Sequence, residues 1–241
     1  MDKQITYTEE EVLYFLRGIT INLRQHGYGI WATNGAYVLD WWEKNNIMGA
    51  VQVNSVYRVT DNAIYGFFRE HRDLSNFGEF NIEWEGLVYP STEAAFQASK
   101  TLSEEERKYF TTLSPAEAKK KGKKLSLRKD WEQEKDWIMY QINKIKYTQH
   151  EEAKALLLST GSKYLEETNW WGDEYWGVCK GKGKNVLGTI LMLIRGELRG
   201  NIKVDQRTLA DVLSLELVER VKTIDEALYE MDNVSGDREN G

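Results

Sequence analysis

Apolar residues recur at helical spacing in several segments of the chain and at alternate positions in others, a mixture that predicts a helix-rich α+β protein. A capping box at residues 8–11 is followed by apolar positions at helical spacing as far as residue 23, and a second helix is predicted over residues 35–44. Residues 51–59 alternate between apolar and polar, which predicts a strand. The short apolar run 64–68 predicts a second strand that pairs with the first as a hairpin.

The remaining pattern predicts one more strand and a series of helices. The strand covers residues 82–89, with Gly86 as a candidate bulge. Each helix begins at a good capping residue or follows a turn, and the clearest start combines a serine cap, a proline and a glutamate at residues 114–117. The predicted helices begin near Ser91, Ser114, Asp130, His150, Asn185 and Asp205. The last of them continues as an amphipathic pattern to residue 228, and residues from 233 onward are expected to be disordered.

Residues 89–100, with the sequence YPSTEAAFQASK, combine an apolar helix with a polar stripe. A helix turns about 100° per residue, so Glu93 and Lys100 are predicted to lie within about 20° of each other, with Gln97 between them. One face of a short apolar helix would then carry a carboxylate, an amide and an amine. A simpler interpretation is also open, since a glutamate near the start of a helix and a lysine near its end both favour the helix dipole.

Composition narrows the class of protein. The chain has 241 residues, of which 41% are hydrophobic and 29% charged, which indicates a soluble globular domain with additions. The net charge of −6 argues against a large surface for duplex nucleic acid. The single cysteine, Cys179, forms no internal disulfide, and neither a signal-peptide pattern nor a membrane-length apolar run is found, so we expect a cytoplasmic protein without a membrane partner. The three histidines lack ligand spacing, and no metal or cofactor is expected.

Two lysine-rich segments are ambiguous. The run KKKGKK at residues 119–124 is interpreted either as a solvated helix face or as a rim that attracts anions. The segment GKGKN at residues 181–185 opens a helix, where free backbone N–H groups can bind a phosphate, but its spacing matches no established phosphate motif. A plain flexible turn is the alternative for this segment.

Polar and aromatic segments outside the apparent core suit a nucleoside-like ligand. They are the loop 69–77, the stripe of Glu93, Gln97 and Lys100, the aromatic loop 169–177 and the segment 181–185. Tryptophan faces would stack a base or flank a ribose, and the glycine-rich segment would hold a phosphate. A lysine near a carboxylate suggests nucleophilic or acid–base chemistry.

These segments together carry a resemblance to a known family. The chain contains E-x-x-x-Q-x-x-K at residues 93–100, D-x-Y-W-G at 173–177 and G-K-N-x-L-G at 183–188. With FFRE and LSNF before them and LLLSTGSKYLEETN between them, the chain resembles the NADAR family (NAD- and ADP-ribose-associated domains) over residues 64–199. We accordingly divide the chain into an N-terminal helical and strand extension (1–60), a NADAR-like catalytic domain (61–200), and a C-terminal amphipathic helix with a disordered tail (201–241).

The resemblance implies a compact, helix-rich α+β fold and hydrolysis of an N-glycosidic bond between a ribose and a base. Two substrate classes belong to the family, namely phosphorylated intermediates of riboflavin synthesis and ADP-ribose attached to guanine in nucleic acid. The partner is therefore expected to be a nucleotide-like small molecule or ADP-ribosylated nucleic acid. The family mechanism uses a lysine that forms a Schiff base with the sugar, and Lys100 matches that position.

The resemblance also implies roles for the other site residues. Glu93 would move protons to the ring oxygen or the leaving base, and Asp173 would orient the ribose or assist proton transfer. We expect burial to lower the pKa of Lys100 so that part of it is a neutral amine. The remaining substrate contacts are assigned to Arg69, Asn76, Gln97, Asn185, Trp171 and Trp176, although the two tryptophans are also explained by core packing.

Two open points complete the expectations from sequence. Many relatives carry a bulky residue or a histidine directly after the motif glutamate, where this chain has Ala94, and a wider pocket there would change the substrate but not the reaction. The alternative function is a sensor module that binds ADP-ribose or an NAD-type nucleotide without hydrolysing it. The C-terminal amphipathic helix is expected to dock on the core or on a second copy of the chain.

Overall fold

The structure is a computed structural model, and it describes residues 56–215. Several expectations lie outside that range: both helices before residue 45, most of the strand 51–59, the last part of the C-terminal helix and the tail. From Arg58 onward the described residues belong to one compact unit. No helix in this part of the chain is long and apolar enough to cross a membrane.

The strands are short and form three small sheets. The strands are β1 (Arg58–Val59), β2 (Ala63–Tyr65), β3 (Ile82–Trp84), β4 (Leu87–Tyr89), β5 (Tyr164–Glu166), β6 (Thr168–Asn169) and β7 (Val178–Cys179). β1 and β2 are antiparallel, β2 and β5 are parallel, β3 and β4 form an antiparallel hairpin, and β6 and β7 are parallel. The predicted pairing of a strand near residue 59 with one near residue 64 is confirmed, since Val59 lies opposite Ile64.

Helices form most of the described structure, so the predicted helix-rich α+β class is confirmed. They are α1 (Thr92–Ala98), α2 (Glu104–Phe110), α3 (Pro115–Gly122), α4 (Trp131–Gln149), α5 (Glu151–Ser159), α6 (Val186–Leu198) and α7 (Gln206–Ser214), with a 3₁₀ helix at Arg69–Leu74. The capping box of Ser114 and Glu117 forms as predicted. Asp130 precedes α4 as predicted, but its carboxylate pairs with Arg128 and makes no capping hydrogen bond.

The single strand predicted over residues 82–89 is wrong, because the segment folds as the β3–β4 hairpin. Its turn consists of Glu85 and Gly86, which both have positive φ, 47° and 77°. Two consecutive left-handed residues give a turn whose twist matches that of paired strands, and glycine favours it. The glycine interpreted as a bulge is therefore the second residue of the turn.

α2 was not predicted, since its sequence EEERKYF carries no apolar stripe and only Phe110 is buried. Its start is set by Ser103, whose side chain accepts a hydrogen bond from the backbone of Glu106.

The predicted C-terminal helix begins after Asp205 as expected, but this helix, α7, ends at Ser214 because Leu215 is extended. α7 docks on the domain through Leu209, which is buried in the main core.

The core is centred on α6, in which every residue from Val186 to Gly196 is buried. α6 lies on β5 at one side and on α4 and α5 at the other, while α1 packs between α3 and α4. The closest approach is at Gly188, where a β-carbon would overlap the carbonyl oxygen of Leu165 and lie 2.6 Å from the side-chain amide of Asn185. The last glycine of the G-K-N-x-L-G motif is thus required by the packing of a helix on a strand.

Gly188→Ala should lower the free energy of unfolding by about 2–3 kcal/mol, because the added methyl group forces α6 away from β5. Urea unfolding followed by tryptophan fluorescence measures this effect. Gly172→Ala is the matched control, because a β-carbon added at Gly172 would have no atom within 4 Å. Only the φ of +83° at Gly172 opposes alanine. The control should lose about 1 kcal/mol, and equal losses in the two variants would contradict the packing argument.

Candidate functional site

The polar stripe of α1 is buried rather than solvated. Ser91 caps the helix by accepting a hydrogen bond from the backbone N–H of Ala94, and all residues of Thr92–Ala98 are buried. Glu93 is only 5% exposed and Gln97 only 6%. A carboxylate that served only the helix dipole would have no reason to leave water, since burial of a charge is costly. The burial therefore favours the functional interpretation of this stripe.

Gln97 holds Glu93 in place. Its side-chain Nε2 donates a hydrogen bond of 2.9 Å to Glu93 Oε1, while its Oε1 is buried without a hydrogen-bond partner. α3 crosses here so closely that a β-carbon on Gly122 would overlap that amide. Gly122, the glycine within the lysine run, thus allows α3 to pack directly against the Gln97 side chain that bonds to Glu93.

Lys100 follows α1 but is not part of it. The helix ends at Ala98 with Ser99 as its C-cap, so no basic residue lies in its last turn. The Lys100 amine lies 6.0 Å from the ring centroid of Phe96 and 5.8 Å from that of Trp131. Burial lowers its pKa, as expected, the nearby charges of Lys119 and Lys123 lower it further, and the Glu93 carboxylate opposes the shift. The lower pKa raises the fraction of neutral, nucleophilic amine at neutral pH.

Lys119 was missed as a site residue, since it stands in a run that is solvated elsewhere. Its amine lies 5.4 Å from the ring centroid of Phe77 and 5.3 Å from that of Trp171. Burial raises the pKa of Glu93, and among the groups that lower this pKa the positive charge of Lys119 has the largest effect. Lys120, Lys123 and Lys124 are exposed, and the Lys121 amine lies 5.6 Å from the ring centroid of Tyr109, whereas the charge of Lys119 acts on Glu93 and Glu167.

Asp173 shapes the aromatic loop. Its Oδ1 accepts hydrogen bonds from the backbone N–H groups of Tyr175 and Trp176, and its own backbone N–H and C=O bond to the side chain of Asn169. Tyr175 in turn donates its hydroxyl hydrogen to the carboxylate of Asp136 on α4. The Asp173 charge also raises the pKa of Glu93, so the loop brings a second carboxylate near α1.

The two tryptophans assigned to the site differ in environment. Trp176 is half-buried and meets the ring of Phe96 edge to face, with centroids 5.2 Å apart. The Lys100 amine lies 6.0 Å from the centroid of the same Phe96 ring, so Phe96 is a common neighbour of Trp176 and Lys100. Trp171 is 44% exposed and has Trp170 against its edge. Core packing accounts for Trp176, whereas an exposed indole above a lysine amine offers a stacking surface.

The GKGKN segment and the residues directly after it hold the aromatic loop through backbone hydrogen bonds. Backbone N–H groups at the start of α6 already have acceptors: that of Asn185 bonds to Gly177, that of Val186 to Tyr175 and that of Leu187 to Trp176. Those N–H groups already donate to carbonyl groups of the loop, so they do not form the phosphate site expected at this helix start. The same bonds tie Trp176 to the start of the central helix.

Arg69, Asn76 and Asn185, predicted as substrate contacts, lie in three different environments. Arg69 is exposed and begins the 3₁₀ helix with a positive φ of 51°. Asn76 is buried and its amide bonds to the side chains of Met139 and Asn143. Its backbone carbonyl accepts the N–H of Glu93, so it positions α1 instead.

Asn185 is completely buried. Its Oδ1 accepts the backbone N–H of Glu167, and its Nδ2 donates to the hydroxyl of Tyr164 and to the carbonyl of Leu165. This side chain therefore fastens the end of β5 to α6. A polar residue in a shared motif was interpreted as a substrate contact, whereas the tertiary structure gives it a role in packing.

Glu167 joins the site although sequence reasoning did not select it. It lies between β5 and β6, and its Oε2 is buried without a hydrogen-bond partner. Burial raises its pKa to about 8, Asp173 and Glu93 add to the shift, and Lys119 and Lys146 oppose it. The sequence could have indicated an inward-facing glutamate here, because side chains alternate between the two faces of a strand and Glu166 and Glu167 are adjacent.

The arrangement combines groups that can exchange protons with one that can attack carbon. Glu93, Gln97, Lys100 and Asp173 are grouped as predicted, with Lys119 and Glu167 added. A partly neutral amine beside carboxyl groups of raised pKa suits covalent and acid–base catalysis. Within residues 56–215 no group of three or more histidine, cysteine, aspartate or glutamate side chains is placed to hold a metal ion.

The chain is similar to proteins named N-glycosidase. The NADAR domain family model matches residues 57–199. N-glycosidase YbiA of Escherichia coli (strain K12) is 37% identical over 156 residues, which cover 61% of this chain and 96% of that protein. N-glycosidase Npun_R5314 of Nostoc punctiforme is 30% identical over 142 residues, covering 56% of this chain and 90% of that protein.

Two further matches concern a plant protein and a solved structure. The chloroplastic riboflavin biosynthesis protein PYRR of Zea mays is 29% identical over 167 residues, which cover 61% of this chain and 25% of that protein. The NMR structure of E. coli YbiA superimposes with a TM-score of 0.53 at 37% identity, covering 59% of this chain and 88% of the other. The NADAR-type fold is therefore shared with a solved structure.

Proposed function

The chain belongs to the NADAR domain family, and from this premise we propose that it is an N-glycosidase that cleaves the bond between a ribose and a base through an imine on Lys100. The observation that carries the proposal is the pair of buried Glu93 and partly buried Lys100, in which the amine has a lowered pKa and the carboxyl a raised one. Relatives named N-glycosidase support the reaction class.

The proposed reaction balances with water as the only co-substrate. The neutral amine of Lys100 attacks C1 of the ribose, and the bond from C1 to the base nitrogen breaks as that nitrogen takes a proton. Loss of a proton from the new amine and protonation of the ring oxygen open the ring to an imine between Lys100 and C1. Water adds to C1, the amine departs, and the free sugar closes again. Glu93, buried beside the amine, carries protons between these atoms.

The surroundings of the pair support a nucleotide-like substrate. Trp171 presents an exposed face that can stack a base, and the lysines of the run 119–124 supply positive charge for a phosphate. We propose a phosphoribosyl-aminopyrimidine of the riboflavin type as the first substrate to test. The name of the maize relative favours it, and the chain's net charge of −6 favours a small molecule over duplex nucleic acid. ADP-ribosyl guanine in a short oligonucleotide is the second.

A reductive trap tests the proposal directly. The full chain is incubated with each substrate and borohydride, and peptide mapping locates any added ribose. An adduct on Lys100 with one substrate supports both the imine and that substrate class. Release of base with no adduct would replace the imine by direct attack of water. Binding with neither adduct nor release would favour the nucleotide-binding sensor instead.

Trp171→Ala should raise KM for the aminopyrimidine substrate about tenfold and leave kcat within about twofold, since one stacked base is worth about 1–3 kcal/mol. Steady-state kinetics of base release measures both constants. Tyr109→Ala is the matched control, because Tyr109 is also an exposed aromatic (53%) beside a lysine of α3. A fall in kcat without a change in KM would argue against a stacking role for Trp171.

A further inference from the structure

Glu167 is half-buried, and its carboxyl oxygen Oε2 is enclosed in a way that the fold does not require. Its backbone is held by Asn185 and Val178, whose bonds fix the end of β5. Its side chain packs beneath Gly177, where a β-carbon would lie 3.0 Å from Glu167 Cγ. Yet Oε2 has no hydrogen-bond partner among the described residues. A buried polar atom without a partner is costly and rare in native structures, so it calls for a functional explanation.

The groups that act on Glu167 are those of the candidate site. They come from four separate elements: Glu93 on α1, Lys119 on α3, Lys146 on α4 and Asp173 in the aromatic loop. Lys146 is otherwise committed, since its amine donates to the backbone carbonyls of Asp73 and Ser75. Lys119 is the nearest compensating charge for both glutamates, and it lies between the rings of Phe77 and Trp171. Glu167 therefore shares one electrostatic environment with Glu93.

The two glutamates differ in their hydrogen bonds. Glu93 accepts one from Gln97, and the amines of Lys100 and Lys119 both favour its charged form. Glu167 Oε2 accepts none from the residues that the structure describes. A carboxylate that is bonded and near two amines is the better base, whereas one with an enclosed, unbonded oxygen is the better place for a proton. Two carboxyl groups in one site thus have different environments.

We propose that Glu167 is a second catalytic acid of this site and that its carboxyl group protonates the departing base, while Glu93 serves the amine and the ring oxygen. The inference rests on the proposed N-glycosidase function. As the C1–N bond breaks, its electron pair goes to the base nitrogen, which takes the proton of Glu167. Glu93 takes a proton from the cationic amine formed on Lys100 and passes it to the ring oxygen as the ring opens. In the second half of the reaction, the water that adds to C1 gives a proton to the Glu167 carboxylate and restores the acid.

Two sugar probes separate this role from a merely structural one. An intact phosphoribosyl-aminopyrimidine must lose its base before an imine forms on Lys100. Ribose 5-phosphate forms the same imine from its open aldehyde, with no base to protonate. With Glu167→Gln, which keeps the shape but holds no acidic proton, the rate of trapped adduct from the intact nucleotide should fall about 10²–10³-fold. The adduct from ribose 5-phosphate should stay within about twofold.

The pH profile gives an independent reading. Glu167 is protonated below its pKa of about 8, so base release by the parent should decline above that pH, and the decline should be absent in Glu167→Gln. Glu174→Gln is the matched control, an exposed carboxyl in the same loop that should keep the parental rate and profile.

Every outcome bears on the assignment. Equal loss of both adducts in Glu167→Gln would make the residue structural, and no loss of either would remove it from the reaction. If the parent releases base but forms no adduct, the imine is wrong, and the effect of Glu167→Gln on base release and on its pH profile still decides the role of Glu167. A parent that neither releases base nor forms an adduct overturns both proposals.

Discussion

Lys100→Ala abolishes base release, with kcat lower by at least about 10⁴-fold, because the variant has no amine to attack C1. Lys100 is only partly buried and its burial lowers its pKa, so its loss should change the free energy of unfolding by less than about 1 kcal/mol. Steady-state kinetics with the aminopyrimidine substrate and thermal unfolding measure the two effects. The separation of a large kinetic loss from a small stability loss marks a residue used in chemistry.

Two variants sharpen this expectation. Lys100→Arg keeps the positive charge but remains protonated, and it should be as inactive as the alanine variant. Lys123→Ala removes an exposed lysine whose charge also acts on Lys100 and should keep activity within about threefold. In the parent, deprotonation of Lys100 should raise kcat on the acid side of the pH profile, since the neutral amine is the nucleophile, before loss of the Glu167 proton lowers it on the alkaline side. Substantial activity in Lys100→Arg would show that only a charge is needed and would refute the imine.

Glu93→Gln is the second large effect, with kcat lower by about 10²–10³-fold and KM nearly unchanged. The substitution keeps the size of the side chain and an oxygen that can accept the hydrogen bond of Gln97. It removes the group that carries protons beside the Lys100 amine. Glu83→Gln on β3 is the control, because Glu83 is an exposed carboxyl. Equal kcat in parent and Glu93→Gln would contradict the assignment.

The same variant should gain stability relative to the parent as pH rises. Burial raises the pKa of Glu93 above its ordinary value of 4.5, so the folded state holds its proton to a higher pH than the unfolded state. The stability that this provides is complete below about pH 4.5 and is lost as pH rises through the folded pKa. Glutamine does not titrate and escapes that loss. Thermal unfolding at pH 4.5 and pH 8 should show the variant's advantage growing with pH.

Local patterns were sufficient for much of the fold. The apolar face of α6 and the serine caps at Ser91 and Ser114 specify helices through contacts within a few residues, and all three helices form as predicted. The hairpin β3–β4 was missed because glutamate at the first position of its turn is an unusual choice. α2 was missed because a helix with one buried residue leaves no periodic signal.

Local sequence patterns predicted only part of the candidate site. Glu93 and Gln97 share a face because four residues make about one helical turn, and their hydrogen bond follows from that spacing. The family motifs identified Lys100 and Asp173. Asn185 carries the same kind of motif signal, yet its amide is buried and used to join β5 to α6. A motif marks a position as constrained but does not tell whether substrate or packing constrains it.

The sequence by itself determined the fold class, the family, the main helices and the alignment of Glu93 with Gln97, because these depend on short-range spacing and on recognisable motifs. Only the tertiary structure decided that the charge of Lys119 acts on Glu93 and Glu167, that the N–H groups at the start of α6 are bonded to the aromatic loop, and that Glu167 and Glu93 influence each other. The protonation of a carboxyl group depends on water, charges and hydrogen bonds around it. Those are supplied by elements distant in sequence, and folding alone brings them together.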